Sequence, residues 1–422
     1  MHAGRLALTL AVAVAVSATP FAATQAADQP EIVIGSILPL TGASAQTGAG
    51  LKTAQQLAAD LVNGHVSYPL PMVGKSGLPR LKHARIRLVF ADSQGKPDQA
   101  RAAAEQLITQ EHAVALIGCY TSSTSATASQ VAERYGIPFL NPDSSAPSLT
   151  TRGLKWFFRS TPNDASFAEN FYQFFADLKR TKNVDVKKIA IVGEDGLFGT
   201  GAGDAEESIG KQRKYEIVTR IAYAATTTEV NAEVQKVKTA APDVIMMASY
   251  LPDALLYMRG FKAQDVAPKA IMAQDAGFID PGFIKAEGAD AEGVFTREVF
   301  SLAIKHRNQA VPLIDQLFRA RFGDKPLDGN TARDFMGVLV LADAIDRAGG
   351  TKPDAIRSAL QATNIPGKLT LMPWKSIKFD AQGQNEGGVG IIEQIQDGKY
   401  ETVWPFDVAT KAPIWPMPAW KH

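Results

Sequence analysis

The strongest constraint on the fold is a repeated alternation of short apolar segments with segments of helical pattern. The segments 31–37, 85–90 and 113–117 are rich in aliphatic side chains and short enough to be single strands. Between them, residues 49–61 and 97–110 carry apolar side chains at helical spacing. Strands buried on both faces read as near-continuous apolar runs, so this pattern indicates a parallel sheet with helices on both sides.

The alternation occurs in two series. The first ends with a helix through 131–135 and a strand at 137–140. The second begins near Asn163 with a predicted helix at 165–178, and its strands are 188–192, 216–221, 243–247 and 269–272. A chain of 422 residues is longer than a single core usually serves. We therefore predict an α/β fold with two doubly wound, Rossmann-like lobes, in which a ligand binds beyond the carboxyl ends of the strands.

Two segments do not follow this alternation. Residues 64–83 contain several prolines and show little periodicity, so we expect a surface insertion. Residues 404–420 are rich in Pro and Trp, and we expect them to pack along the surface of a lobe without forming a helix.

The N-terminus has the pattern of a secretory signal peptide. A short positively charged segment, 1–5, precedes the apolar run 6–16, and small residues at 24–27 have the spacing that a signal peptidase needs. The apolar run is too short to span a membrane, and no cysteine follows it to carry a lipid anchor. We predict a signal peptide at 1–27 and a mature protein in the periplasm. The single cysteine, Cys119, agrees with an exported protein that is stabilised by its core rather than by disulfides.

The composition argues against several classes of function. There are 44 basic and 43 acidic side chains, so no basic surplus favours nucleic acid as a partner. The six histidines are scattered without metal-ligand spacing, and we expect neither a metal nor a cofactor. The glycine run 199–203 lacks the G-x-G-x-x-G spacing of dinucleotide sites, so we expect a glycine-rich helix start there. Neither a G-x-S-x-G elbow nor a Walker loop occurs.

A dense block of hydroxyl side chains follows the strand at 113–117. It consists of Tyr120, Thr121, Ser122, Ser123, Thr124, Ser125, Thr127 and Ser129. Cys119, at its start, would need a nearby base to act as a nucleophile, and no base stands at a recognisable spacing, so we expect a buried cysteine. One hydroxyl would be enough to cap the following helix, so the density of the block favours a ligand cradle. A second hydroxyl turn, 141–150, follows the next strand, and the two turns would converge on an acceptor-rich group such as a carboxylate.

Other strand ends supply further candidates. The loop 38–50 also joins a strand to a helix, and its glycines would let the backbone approach a ligand. In the second series Tyr250 and Asp275 follow strands, and we expect both side chains to face the crevice. For Asp275 the alternative is a simple helix N-cap.

Taken in order, these motifs resemble the periplasmic solute-binding proteins of branched-chain-amino-acid-type ABC transporters, the leucine/isoleucine/valine-binding protein family. The resemblance covers essentially the whole chain after the signal peptide. Its motifs are the segments 34–42, 115–124, 142–149, 192–199 and 249–250, together with Asp275.

The resemblance implies a type I periplasmic-binding-protein fold whose lobes are joined by a three-crossover hinge. The crossings would lie near 159–163, 297–302 and 365–374. The first lobe would then comprise 28–161 and 300–368, and the second 162–299 and 369–422.

The resemblance also implies a set of ligand contacts. In the first lobe they are Thr47, Ser122, Asp143 through its backbone, Ser144 and Ser145, and in the second Phe198, Tyr250 and Asp275. Ser122 and Ser145 would bind the ligand carboxylate, Asp275 would pair with a ligand ammonium, and the aromatic residues would cover the ligand side chain. Tyr120 is added from the hydroxyl block, either lining the pocket or sealing its edge.

Three positions depart from the family pattern. Thr47 and Phe198 replace tyrosines that are common there, and Asp143 replaces a small residue. If the Asp143 side chain reaches the pocket, a cationic or donor-rich ligand would be favoured over a simple aliphatic amino acid.

The sequence therefore predicts a monomeric receptor rather than an enzyme, with no catalytic residues. It would bind an amino acid or a related aromatic or aliphatic carboxylate and deliver it to an ABC permease in the inner membrane. Two alternatives stay open at this point, a ligand-binding sensor domain and an exported hydrolase that uses Cys119 or a cleft serine.

Overall fold

The computed structural model describes residues 30–303 and 308–420, so the predicted signal peptide lies outside the described residues. The strands are Glu31–Leu38 (β1), Arg85–Asp92 (β2), Ala115–Gly118 (β3), Phe139–Asn141 (β4), Phe157–Arg159 (β5), Lys188–Glu194 (β6), Glu216–Tyr223 (β7), Val244–Ala248 (β8), Ala270–Ala273 (β9), Phe295–Glu298 (β10), Asn364–Pro366 (β11), Ser376–Lys378 (β12), Ile391–Gln396 (β13) and Lys399–Trp404 (β14). The helices are Ala45–Asn63 (α1), Pro97–Thr109 (α2), Ser122–Tyr135 (α3), Ser148–Thr151 (α4), Asp164–Lys182 (α5), Leu197–Gln212 (α6), Asn231–Ala240 (α7), Leu251–Ala263 (α8), Pro281–Glu287 (α9), Ala310–Arg321 (α10), Gly329–Ala348 (α11) and Pro353–Gln361 (α12).

The first lobe is built on a parallel sheet in the order β2-β1-β3-β4-β5. Helices α1 and α11 pack against each other over one face, and α2 packs against α3 over the other. All four residues of β3 are buried, which explains its unbroken apolar sequence. The predicted doubly wound α/β architecture is confirmed for this lobe.

The second lobe repeats this plan with one addition. Its sheet has the order β14-β13-β10-β9-β8-β6-β7, in which β6 to β10 are parallel. Strands β13 and β14 extend it in antiparallel fashion, a feature that the sequence pattern did not predict. Residues 404–420 form no helix and pack on this lobe as expected, with Met417 N donating to Lys269 O at 2.8 Å.

The strand order places a crevice at one end of each sheet. In each sheet the strand order changes direction at one point, between β1 and β3 in the first sheet and between β6 and β8 in the second. The loops that follow the two strands at such a point lead to opposite faces of the sheet, which leaves a crevice between them. At the end of β3, Gly118 has φ +121°, and a Cβ at this position would lie 2.3 Å from Ile37 O. Only glycine therefore allows the strand to turn directly into the hydroxyl block.

Residues 64–83 differ from the surface insertion that the sequence predicts. The segment folds back on the end of α1, with Gly74 N donating to Leu61 O at 3.0 Å. Its apolar side chains join the core of the first lobe, and these are Leu70, Met72, Val73 and Leu78. The segment is therefore a packed part of this lobe. It has no helical or strand periodicity, but burial of its apolar side chains holds it against the core.

The third crossing between the lobes lies later in the chain than the predicted 365–374. Leu371, Met372 and Trp374 pack in the core of the first lobe, and β11 and β12 form a separate two-stranded sheet. Gln384 then pairs beside Arg159 at the edge of the first sheet, and the chain enters the second sheet only at β13. We therefore place this crossing between 384 and 391 and assign 369–384 to the first lobe. The other boundaries stay a prediction.

Within residues 30–303 and 308–420, every helix is too short or too polar to span a bilayer.

Candidate functional site

The hydroxyl block after β3 begins helix α3, and most of its hydroxyls bind other parts of the protein. The Thr121 side chain accepts from Thr124 N at 3.4 Å and caps the helix. Ser125 Oγ accepts hydrogen bonds from Cys119 N and from Asn141 Nδ2. Ser122 Oγ accepts from Ala146 N at 3.3 Å, which leaves its own proton available for a ligand.

Cys119 is fully buried at the end of β3. Burial raises the pKa of its thiol to about 12, so the thiolate is negligible near neutral pH. The prediction of a buried cysteine is confirmed.

The second hydroxyl turn lies beside the first and is also largely committed to the protein. Ser144 Oγ lies 2.6 Å from Ser125 Oγ and donates to Cys119 O at 3.0 Å. Ser145 Oγ accepts from Arg297 Nη2 at 3.3 Å. Both serines line the cleft, but their hydroxyls join the two turns and the two lobes to each other.

Three aromatic side chains form one wall of the cleft. The rings of Tyr120 and Tyr250 have centroids 5.7 Å apart, and those of Phe198 and Tyr250 are 5.4 Å apart. Tyr120 comes from the first lobe and the other two from the second, so the wall closes across the interface. Tyr120, which sequence reasoning left unplaced, therefore lines the cleft.

Helix α11 contributes an arginine that sequence reasoning missed. Arg333 Nε donates to Asp143 Oδ1 at 2.8 Å, Nη1 donates to Asp275 Oδ2 at 3.0 Å, and Nη2 donates to Asn330 Oδ1. Asp143 and Arg333 belong to the first lobe and Asp275 to the second. The Asp143 side chain does reach the cleft, but Arg333 compensates its charge, so this carboxylate alone does not call for a cationic ligand.

A second buried arginine reaches Asp275 from β10. Arg297 Nη1 donates to Asp275 Oδ2, and Nη2 lies 3.4 Å from Asp164 Oδ1. The guanidinium also lies 3.5 Å above the centroid of the Phe167 ring. Burial raises the pKa of Asp164 to about 6, and the neighbouring Arg297 opposes that rise.

Asp275 itself has an unusual backbone conformation. It has φ +37°, where an L-residue is strained, and it precedes the short turn 276–278 without a side-chain capping bond. Asp275 therefore stands at the N-cap position of this turn without capping it through its side chain, which the two arginines hold instead.

The network continues into the core of the first lobe. Asp334 faces Asp143, and burial together with the Asp143 charge raises the Asp334 pKa well above its usual value. Gln55 Nε2 donates to Asp334 Oδ1, and Ser36 Oγ donates to Gln55 Oε1 at 2.6 Å. Gln55 thus fixes the Asp334 carboxyl group in the core behind Asp143.

Eight of the nine predicted ligand contacts line one interlobe cavity of about 20 Å³. They are Tyr120, Ser122, Asp143, Ser144, Ser145, Phe198, Tyr250 and Asp275, and the cavity is completed by Ala276, Asn330 and Arg333. Thr47 lies apart, because its Oγ1 donates to Asp280 Oδ2 at 2.7 Å across the lobe interface. The volume is close to that of a single water site, so the lobes are tightly closed here.

A larger cavity of about 580 Å³ lies beyond the start of α11 and is lined mainly by apolar side chains such as Phe300 and Leu327. It contains none of the predicted contacts. Nor does the described part of the chain bring three or more His, Cys, Asp or Glu side chains together to hold a metal ion.

Comparison with known proteins identifies the family to which this chain belongs. A family model described as a periplasmic binding protein matches residues 31–399. The chain belongs to the periplasmic binding protein family. The predicted resemblance to the leucine/isoleucine/valine-binding proteins is confirmed by a relative in Brucella suis, "Leu/Ile/Val-binding protein homolog 8", which is 28% identical over 97% of this chain and 98% of its own length.

Solved structures share the fold of this periplasmic binding protein. The branched-chain amino acid transporter substrate-binding protein LivJ from Streptococcus pneumoniae, in complex with isoleucine, matches with a TM-score of 0.73 at 21% identity, covering 88% of this chain and 98% of that one. A solute-binding protein of an ABC transporter from Rhodopseudomonas palustris, in complex with 3,4-dihydroxybenzoic acid, also has a TM-score of 0.73, at 17% identity over 92% of this chain and 98% of that one. These two proteins hold chemically different carboxylates on one fold.

Proposed function

We propose that this protein is the periplasmic solute receptor of an ABC importer and binds an amino acid or a related small carboxylate between its lobes. The observation that carries the proposal is the convergence of side chains from both lobes on one cavity. Ser122, Tyr120 and Arg333 come from the first lobe, and Tyr250 and Asp275 from the second. Clefts of this kind, with an apolar wall and a few polar groups, suit small polar solutes.

Hinge closure is supported by the way in which the lobes touch. Side-chain contacts hold them together, including Arg333 with Asp275 and Thr47 with Asp280. The lobes can separate if a few backbone torsions change where the chain passes between the two sheets and these contacts break.

The transport role rests on the family, whose relatives include binding proteins of ABC transporters. We propose that a monomer with closed lobes is recognised by an inner-membrane permease. Hydrolysis by Cys119 has no support, because its thiol is fully buried and its pKa is about 12.

Calorimetric titration of the purified mature protein tests this proposal. The panel contains aliphatic and aromatic amino acids and their parent carboxylic acids, with glucose as a control solute. We expect at least one carboxylate to bind with micromolar or better affinity and to raise the melting temperature. Small-angle scattering should show a smaller radius of gyration with the ligand than without it. If no carboxylate binds while glucose or another uncharged solute does, the proposal is wrong.

A further inference from the structure

The carboxylate that the family resemblance assigns to a ligand ammonium already has two cationic partners. Asp275 Oδ2 accepts from Arg333 Nη1 at 3.0 Å and also from Arg297 Nη1. Both arginines are at most 2% exposed, so water screens neither of them.

Neither arginine is free to leave. Arg297 is held by Gln274, Asp164 and Ser145 and lies over the Phe167 ring. Arg333 is held by Asp143 and by the side-chain oxygen of Asn330. An ammonium at Asp275 would therefore compete with two fixed cations for Oδ2, the oxygen that both of them already hold.

Two residues of α11, Asn330 and Arg333, offer hydrogen-bond donors to the cavity. Asn330 is 1% exposed and its Nδ2 has no partner, whereas its Oδ1 accepts from Arg333, which fixes the orientation of the amide. A guanidinium has five N–H bonds, and the three contacts of Arg333 leave two of them unused. The Ser122 proton is a further donor. A group placed among these donors must be rich in acceptors, and a carboxylate meets that requirement.

We propose that the solute of this receptor is a carboxylic acid without an ammonium group, with its carboxylate bound by Arg333, Asn330 and Ser122. This inference rests on the proposed function, because it names the class of solute for the same cleft. The rings of Tyr120, Phe198 and Tyr250 bind the body of the acid, so an aromatic or branched apolar acid fits best. Because the described cavity is small, the lobes open to admit the acid and close on it.

The test compares matched pairs of ligands on the wild-type protein, each pair differing only in the ammonium group. Calorimetry measures leucine against isocaproate and phenylalanine against hydrocinnamate. We expect at least one acid to bind about tenfold or more tightly than its amino acid, a difference of about 1.4 kcal/mol. Equal or tighter binding of the amino acid in both pairs would overturn the inference and leave the proposed function intact. If neither the acids nor the amino acids of the two pairs bind, the inference is overturned, whereas the proposed function is decided by the wider carboxylate panel.

Variants then test the donors themselves. Asn330→Asp replaces the unpaired donor with a carboxylate and should weaken binding of the preferred acid at least about tenfold, whereas Asn330→Gln should keep part of it. Arg333→Lys keeps the positive charge but loses the planar set of N–H donors of the guanidinium. It should therefore reduce the preference for the acid over the amino acid. Arg220→Lys, a substitution in the second lobe at an arginine paired with Asp204 and Glu207, is the matched control. Unchanged acid binding in folded Asn330→Asp and Arg333→Lys proteins would assign these residues to structure alone.

Discussion

At the scale of single residues, the cleft is organised by a row of alternating charges. Asp143, Arg333, Asp275, Arg297 and Asp164 follow one another in contact, and all are buried. Burial of such groups adds little to stability on balance, but removal of one member leaves its neighbour uncompensated. We therefore assign this row to the positioning of the lobes and of the donors rather than to the stability of the fold.

Ser122 provides the residue-scale test of ligand contact. Ser122→Ala should weaken binding by about 1 kcal/mol, roughly fivefold, because it removes a hydroxyl donor from the cleft. Calorimetry with the identified ligand measures the change, and Ser208→Ala, on the outer surface of α6, is the control. An unchanged affinity would mean that Ser122 serves only to bind Ala146 N.

At the scale of elements, α11 joins the core to the site. It is buried along most of its length and packs against α1, yet it carries Asn330 and Arg333 in its first turns. Asp328 caps it, since Thr331 N donates to Asp328 Oδ1 at 2.8 Å and Asp328 N donates to Thr331 Oγ1 at 2.9 Å. The cap fixes where the helix begins and therefore where both donors stand.

Removal of this cap should destabilise the protein. Asp328→Ala should lower the free energy of unfolding by about 1 kcal/mol, because the Thr331 amide loses its acceptor. Asp328→Asn keeps an oxygen acceptor and should lose less. Urea denaturation of the three proteins measures the difference, and equal losses in the two variants would show that the cap oxygen does not matter.

At the scale of the whole molecule, buried carboxyl groups make the free energy of unfolding depend on pH. Burial raises the pKa to about 8 for Glu206, about 7 for Asp253 and Glu393, and about 6 for Asp164 and Asp328. In the unfolded chain these groups lose their protons near pH 4. The folded state therefore binds more protons between about pH 4 and pH 8, and stability falls as pH rises through this window.

The melting temperature should thus be several degrees higher at pH 5 than at pH 8. Glu206→Gln should flatten this dependence, since Glu206 Oε1 accepts from Gln274 Nε2 at 2.8 Å and an amide oxygen can replace it. The neighbouring Glu207 has a lowered pKa because of hydrogen bonds to Lys211 and Arg220, so Glu207→Gln should keep the wild-type slope. A melting temperature that rises from pH 5 to pH 8 would contradict this account.

The sequence by itself determined the alternating strands and helices of the two series, the two-lobe plan and most of the cleft. Apolar periodicity is a local property, and the carboxyl ends of parallel strands share one edge of a sheet, so the two hydroxyl turns, Tyr250 and Asp275 could be placed without coordinates. Within those turns, the family resemblance singled out Ser122 and Ser145. The position of Arg333 was not predicted, although a charged pair, Arg333-Asp334, within the apolar run of α11 was a usable signal of buried polar contacts.

Only the tertiary structure decided what the charged residues do. Asp143, Asp275 and Arg333 are far apart in sequence, and they pair because the lobes bring a strand-end turn, a second-lobe loop and a helix together. The same holds for the third crossing, whose position depends on Gln384 pairing beside Arg159. Charge pairing in a buried site depends on distances between distant segments, and the local pattern of the chain carries no information about those distances.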